Sequence, residues 1–307
     1  MLKKSSSIYL IAILSALMVT PAQARTRSFV SSYGNDANPC GPFAPCRQFD
    51  RAIDVSDPDG EVVVLDSAGF LPVTISKSVS LTAPTGVYVA ISVLTAGTSG
   101  ITIATPGVNV VLRGLIINGL GGDNGIVMSG IGNLSIENCV ISNFSGAGQN
   151  AISVNAAVSV RIVDTLIRDN VTGIKLQAGA VTDISGSKFL GNDTGIYTAS
   201  TSSPFSSTTI SDTIVTGGGT GIEAISSGSG SAQVQMIRSS VTNNLTGIKS
   251  SASGGTASVT FSESMVTGNV VGYSQGSGGS LISLVNNTIA NNGSNTGSLT
   301  PLPGGLQ

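Results

Sequence analysis

Asp212, Arg238 and Glu263 recur 26 and 25 residues apart in the 307-residue chain. A cation between two carboxylates can present itself to a sugar acid, and an Arg or Lys acting as base beside calcium-holding carboxylates is the chemistry of a lyase. A second set, Lys175, Tyr197, Glu223 and Lys249, follows the same rhythm at spacings of 22, 26 and 26. It offers hydrogen-bonding groups and one aromatic ring, which suits contact with a glycan. The chain has no His. That removes Ser-His-Asp and Cys-His nucleophile systems, His-ligated zinc and every His general base.

Both sets also have a purely structural reading. An Arg flanked by two acids is the simplest way to stack charges on a parallel sheet without repulsion, each carboxylate holding Arg238 in an ion pair. Lys175 to Lys249 is likewise a solvated sheet face with mixed charges. The structural reading is the stronger for each, so Arg238, Asp212 and Glu263 stand as catalytic candidates and Lys175, Tyr197, Glu223 and Lys249 as ligand-binding candidates. No metal site is expected.

Residues at such intervals can only meet if the chain repeats. One column contains Ile101, Ile126, Ile152, Ile174, Ile196, Ile222, Ile248 and Tyr273, each preceded by Gly except at Ala151. Another contains Ile117, Ile141, Ile167, Phe189, Val215, Val241, Val266 and Ile289. Each column covers 172 residues in seven steps of 22 to 26, and agreement between separately chosen anchors marks a solenoid. Within each unit lie short alternating segments such as Leu134-Ser135-Ile136 and Val160-Arg161-Ile162, with Gly, Asn and Ser turns between them. The recurrent Leu spacing of a leucine-rich horseshoe is missing. The pattern predicts an all-β fold, a right-handed parallel β-helix whose coils pair about 4.8 Å apart.

Composition agrees, with 40% hydrophobic, 10% charged and 4% aromatic residues, no Trp and 40 Gly. Small polar residues precede the second anchors by two positions: Cys139, Thr165, Ser187, Thr213, Ser239, Ser264 and Asn287. They should hydrogen-bond along the stack. Asn170, Asn192, Asn244, Asn269 and Asn292 follow the anchors by three, and are read as turn residues able to take a left-handed backbone. Triplets such as Asn170-Val171-Thr172 are then turn chemistry rather than glycosylation sites. The charged trio belongs to the column three before each anchor, Asn138 to Asn286, which should point outward. Asp212 and Glu263 would lie about two coils apart, poorly placed to share one calcium. Val140, Leu166, Ile214 and Met265 form an outward, partly apolar column.

Residues 1–24 read as a signal peptide, with Lys3 and Lys4, an apolar run from Ile8 to Val19 and a small-residue cleavage site. The protein is expected to be secreted or periplasmic, where Cys40 and Cys46 close a proline-stiffened loop as a disulfide. Cys139 is left as a buried, inert small residue. Residues 25–58 form an N-terminal cap in which Phe49, Ala52 and Ile53 share one face of a short helix over the first coil. The β-helix proper occupies 59–292, and 293–307 is a Gly/Ser/Pro-rich tail in which Pro301 and Pro303 discourage edge pairing. A formal charge of −2 with no Lys or Arg cluster argues against nucleic acid, and no membrane insertion is expected. Oligomeric state is not legible. Gly119-Leu120-Gly121-Gly122-Asp123 lacks the tandem copies of a calcium nonapeptide, and the Gly-rich runs lack the helix and Lys of a phosphate loop.

The segment Tyr33-Gly34-Asn35-Asp36-Ala37-Asn38-Pro39-Cys40, the Pro42-Phe43 that follows, and Gly60-Glu61-Val62-Val63-Val64-Leu65-Asp66 resemble the opening of secreted bacterial β-helix proteins of the pectate-lyase-like superfamily. Asn-Asn-Thr-Ile-Ala-Asn-Asn at 286–292 is similar to their repeat. The resemblance covers most of the chain and implies the architecture; its members range from lyases, hydrolases and epimerases to adhesins. A polygalacturonase-like site would need a catalytic His and is set aside. The favoured expectation is a non-catalytic exported protein that binds a polysaccharide or surface protein along its lateral sheet, without a cofactor. The alternative is a lyase or epimerase acting on a uronate polymer, the only case in which calcium would enter. Ser/Thr/Gly-rich extensions at Ala199–Ser207, Ser226–Ser231 and Ser250–Ala257 are read as spacers rather than a pocket.

Overall fold

The computed structural model describes residues 26–201, 205–284 and 286–301. Residues 1–24, read from the sequence as a signal peptide, and Pro303 lie outside the described residues. Each coil runs through three short strands in turn, for example Val108–Arg113, Leu115–Gly119 and Asn124–Met128, before Gly132–Glu137 begins the next. Strands of one kind pair only with their counterparts one coil away, always in parallel. They make a 12-stranded sheet 1 and two ten-stranded sheets, here sheets 2 and 3 in coil order. The result is a parallel β-solenoid of about nine turns.

Both sequence columns stack in register. Ile101 to Tyr273 are consecutive partners in sheet 3, and Ile117 to Ile289 in sheet 2. The six Ile of the first column between Ile126 and Ile248 are all fully buried. Truncating one such side chain to Ala would cost about 2–5 kcal/mol. The Gly before each Ile has a steric reason, since a Cβ on Gly125, Gly173, Gly195 or Gly221 would come within 2.5–2.6 Å of the next coil's carbonyl oxygen. A side chain at these four positions would have to displace that carbonyl, while Ala151 is the one place in the column that carries a Cβ.

The helix Phe49–Val55 buries Phe49, Ala52 and Ile53 as its spacing requires. Asp36 Oδ1 accepts the backbone N–H groups of Arg47 and Gln48 at 2.8 and 2.9 Å, fixing the turn that enters it. Cys40 and Cys46 are disulfide-bonded. Two boundaries differ from the sequence reading. Arg27–Val30, inside the 25–58 cap, is already the first strand of sheet 1 and pairs with Gly60–Val64. At the other end Ser294–Thr296 and Thr300–Pro301 add strands to sheets 3 and 1. Pro301 thus occupies the last described strand of sheet 1, and the coil runs past residue 292.

The bends correct two further expectations. Asn170, Asn192, Asn244 and Asn269 are buried and are not the left-handed residues. Those are their predecessors: Asn143, Asp169, Gly191, Gly217, Asn243, Gly268 and Asn291, with φ between 54° and 77°. Each buried Asn instead accepts the preceding coil's backbone N–H, as Asn269 Oδ1 does from Asn244 at 3.0 Å, and donates to a carbonyl, as Asn244 Nδ2 does to Val215 at 3.3 Å. Burial also takes Asn170 and Asn244 out of reach of glycosylation. The column Asn138, Asp164, Gly186, Asp212, Arg238 and Glu263, expected as ordinary outward strand positions, is left-handed throughout, with φ of 47–59°. It forms the bend from sheet 1 to sheet 2.

Candidate functional site

Two surface clusters sit on the later coils, and local backbone decides what each can do. At the first bend the residue after the left-handed position turns inward. Ser239 Oγ accepts the Thr213 N–H at 3.1 Å, and Ser264 Oγ accepts that of Ser239 at 3.2 Å. With the inward residue fixed, Asp212, Arg238 and Glu263 project into an open depression of about 520 Å³, floored by Ile214, Ser240 and Met265.

Arg238 does not divide itself between two acids. Its Nε and Nη2 donate to the two oxygens of Asp212, each at 2.9 Å, while Glu263 makes no ion pair with it. Hydrogen bonding to Arg238 lowers the Asp212 pKa, and the same bond raises that of Arg238. A guanidinium held more firmly protonated is a poorer base, and this one is half-exposed beside an acid of equal exposure. Each Asp212 oxygen accepts one of these two hydrogen bonds. Among the described residues no group of three or more His, Cys, Asp or Glu is placed to hold a metal. The apolar neighbours of this cluster are interrupted, since Lys188 and Ser240 stand between Leu166, Ile214 and Met265 in the sheet 2 register.

The second cluster lies on the flat face of sheet 3. Lys175, Tyr197, Glu223 and Lys249 are successive partners, one coil apart. Lys249 Nζ reaches Glu223 Oε1 at 2.8 Å, and Glu223 is 8% exposed. Lys175 makes no ion pair among the described residues. Burial, and then the nearby Glu223 charge, raise the Tyr197 pKa, so its hydroxyl stays a neutral donor at physiological pH. The strip therefore presents a free ammonium, a phenol ring and a neutralised pair in a line.

The coil extensions behave differently from the spacers expected. They lengthen sheet 3: Thr194–Ser200, Thr220–Ser227 and Thr246–Ser253 run seven, eight and eight residues, against five in Asn124–Met128. Their outer ends border a groove of about 310 Å³ beside Tyr197. Ala199, Ile225 and Ser251 lie on its floor, and the signal for them was the alternation that puts each two residues beyond Tyr197, Glu223 and Lys249. Residues 202–204 of the first extension lie outside the described residues.

Cys139 is buried at the first bend, and burial pushes its thiol up to about 11. It is inert, as its Thr and Ser counterparts are. Among the described residues no helix is long and apolar enough to cross a membrane.

Stacked coils, in-register side-chain ladders and a helical cap define a parallel β-helix. The chain belongs to the family described as right handed beta helix region, which matches residues 99–264. In structure it is similar to pectate lyase Pel9A, with a TM-score of 0.62, 13% identity, and 93% of this chain and 80% of that one covered. Weaker likenesses are to a mutant of the PL6 family alginate lyase AlyGC (TM-score 0.42, 11% identity, 90% and 41% covered) and to the GH136 lacto-N-biosidase from Eubacterium ramulus (0.42, 11%, 90% and 67%). At such identities the likeness to Pel9A is one of fold. A search of curated proteins finds no match to the sequence.

Proposed function

We propose that this protein is an exported, non-catalytic β-helix that binds a polysaccharide along the lateral face of sheet 3, through Lys175, Tyr197, Glu223 and Lys249. The observation that carries this reading is the contrast between the two clusters. Arg238, flanked by two acids in the stack, gives its Nε and Nη2 donors to Asp212, whereas Lys175 and the Tyr197 ring stay available on a flat face one coil apart. A row of groups repeating near 4.8 Å suits an extended polymer lying along the axis. The disulfide supports placement outside the cytoplasm, secreted or periplasmic.

The experiment is affinity electrophoresis of the full chain through gels containing soluble polysaccharides. Retardation should fall several-fold in Tyr197→Ala and in the Lys175→Ala, Lys249→Ala double variant, and stay unchanged in Arg238→Ala. Loss of retardation in Arg238→Ala alone would move the site to the first bend.

One observation favours a second reading, a lyase or epimerase acting on a uronate polymer. Arg238 and Glu263 hold φ of 47° without being Gly, Asn or Asp, and strained backbone of this kind clusters at functional sites. The likeness to pectate lyase Pel9A is compatible with it. Against it stands the bidentate hold of Asp212 on Arg238, which keeps the guanidinium protonated.

A further inference from the structure

We propose that the groove beside Tyr197 holds a single uncharged sugar ring, so that the polysaccharide is a neutral one; this deepens the binding reading above and rests on it. Three features of the groove converge on that chemistry. Its floor is a register column, Ala199 against Ile225 and Ile225 against Ser251, so it is apolar at one end and carries a hydroxyl at the other. Its wall is the Tyr197 ring, which is suited to the C–H face of a pyranose. Its rim is Ser227 and Ser253, paired one coil apart, with hydroxyls that can donate or accept.

No charged side chain borders this groove among the described residues. A uronate carboxylate placed there would lose water and gain no cation, which is unfavourable, whereas a hexose hydroxyl would exchange water for serine. The volume of about 310 Å³ is at the small end for ligand sites, the size of one or two rings rather than a long oligomer. Neighbouring units of the chain would then run over Glu223 and Lys249, whose charges already satisfy one another. Lys175 is left as the strip's one cation without an ion pair among the described residues, beyond the ring site.

The test uses the full chain with two probes, galactomannan as a neutral polymer and polygalacturonate as an acidic one, and two variants. Ser251→Trp fills the floor, and Ser253→Trp crowds the rim from an exposed position that should not disturb folding. Wild type should bind galactomannan with little change between low and high salt. Ser251→Trp and Ser253→Trp should each weaken that binding about tenfold while thermal midpoints hold. Binding of polygalacturonate alone, or galactomannan binding untouched by both Trp variants, would overturn the ring site and leave the strip standing. Retention of neither polymer would overturn the binding reading itself.

Discussion

Two of the three bends in each coil are built alike and stabilised differently. Both place a left-handed residue on the outside and then turn a polar side chain inward to accept an N–H from the preceding coil. Where sheet 2 turns into sheet 3, the left-handed position is Asn, Asp or Gly in every coil from Asn143 to Asn291, and the inward residue is usually Asn. Where sheet 1 turns into sheet 2, the inward residue is small, Cys139 in one coil and Ser or Thr from Thr165 to Ser264, and the left-handed position admits Arg238 and Glu263. The left-handed region costs an ordinary L-residue roughly 1–2 kcal/mol. One bend is thus optimised for the backbone throughout, and the other accepts strain in two neighbouring coils, beside the open depression. The difference shows that a charged column at coil spacing is not by itself a site, because the bend fixes where its side chains go.

The largest effect should come from the better-built bend. Asn244 donates to Val215 and Asn269 and accepts from Gly218, so Asn244→Ala should cost about 2–3 kcal/mol by leaving buried partners unmet. Ser239→Ala, at the other bend, should cost about 1–2 kcal/mol. Urea midpoints of the two variants check the order, and equal losses would erase the distinction.

A smaller effect of opposite sign is expected at the strained positions. Glu263→Gly should raise stability by about 1 kcal/mol through release of the left-handed penalty, while Asn243→Gly at the other bend should change it by a few tenths. Thermal melts of both variants measure this. If Glu263→Gly destabilises, Glu263 makes an interaction that outweighs the backbone cost.

The smallest effect is electrostatic. Arg238 holds the Asp212 carboxyl below the usual range, so its share of stability is present above the unfolded Asp pKa, near 3.9, and is lost as pH falls through the lower folded value. Exposure keeps that share slight. An NMR titration of Asp212 should show the depressed midpoint in wild type and a return towards about 3.9 in Arg238→Gln. No change on substitution would mean the bidentate pair is not held in solution.

The sequence made the axis of this molecule readable because a stacked fold converts chain spacing directly into contact. The Ile101 and Ile117 columns, the cap helix and the Cys40–Cys46 bridge needed only period, burial and redox chemistry. What it concealed was decided within a single residue. Asp212 and Asn170 both occupy bends, yet which of two adjacent residues takes the positive φ follows from how the turn packs on its neighbours. Arg238 could pair with either acid at equal coil distance, and only side-chain geometry selects Asp212. The Tyr197 groove was hidden for another reason, since Ser-rich extensions read as loops, and only pairing in register turns them into strand.

The central claim is that sheet 3 binds a glycan without cleaving it. The full chain should be incubated with galactomannan, alginate and polygalacturonate, with and without calcium, while unsaturated ends and polymer length are followed. Retention on a polysaccharide with neither new double bonds nor shortening is the predicted result; steady turnover that disappears in a folded Arg238→Ala variant would contradict it.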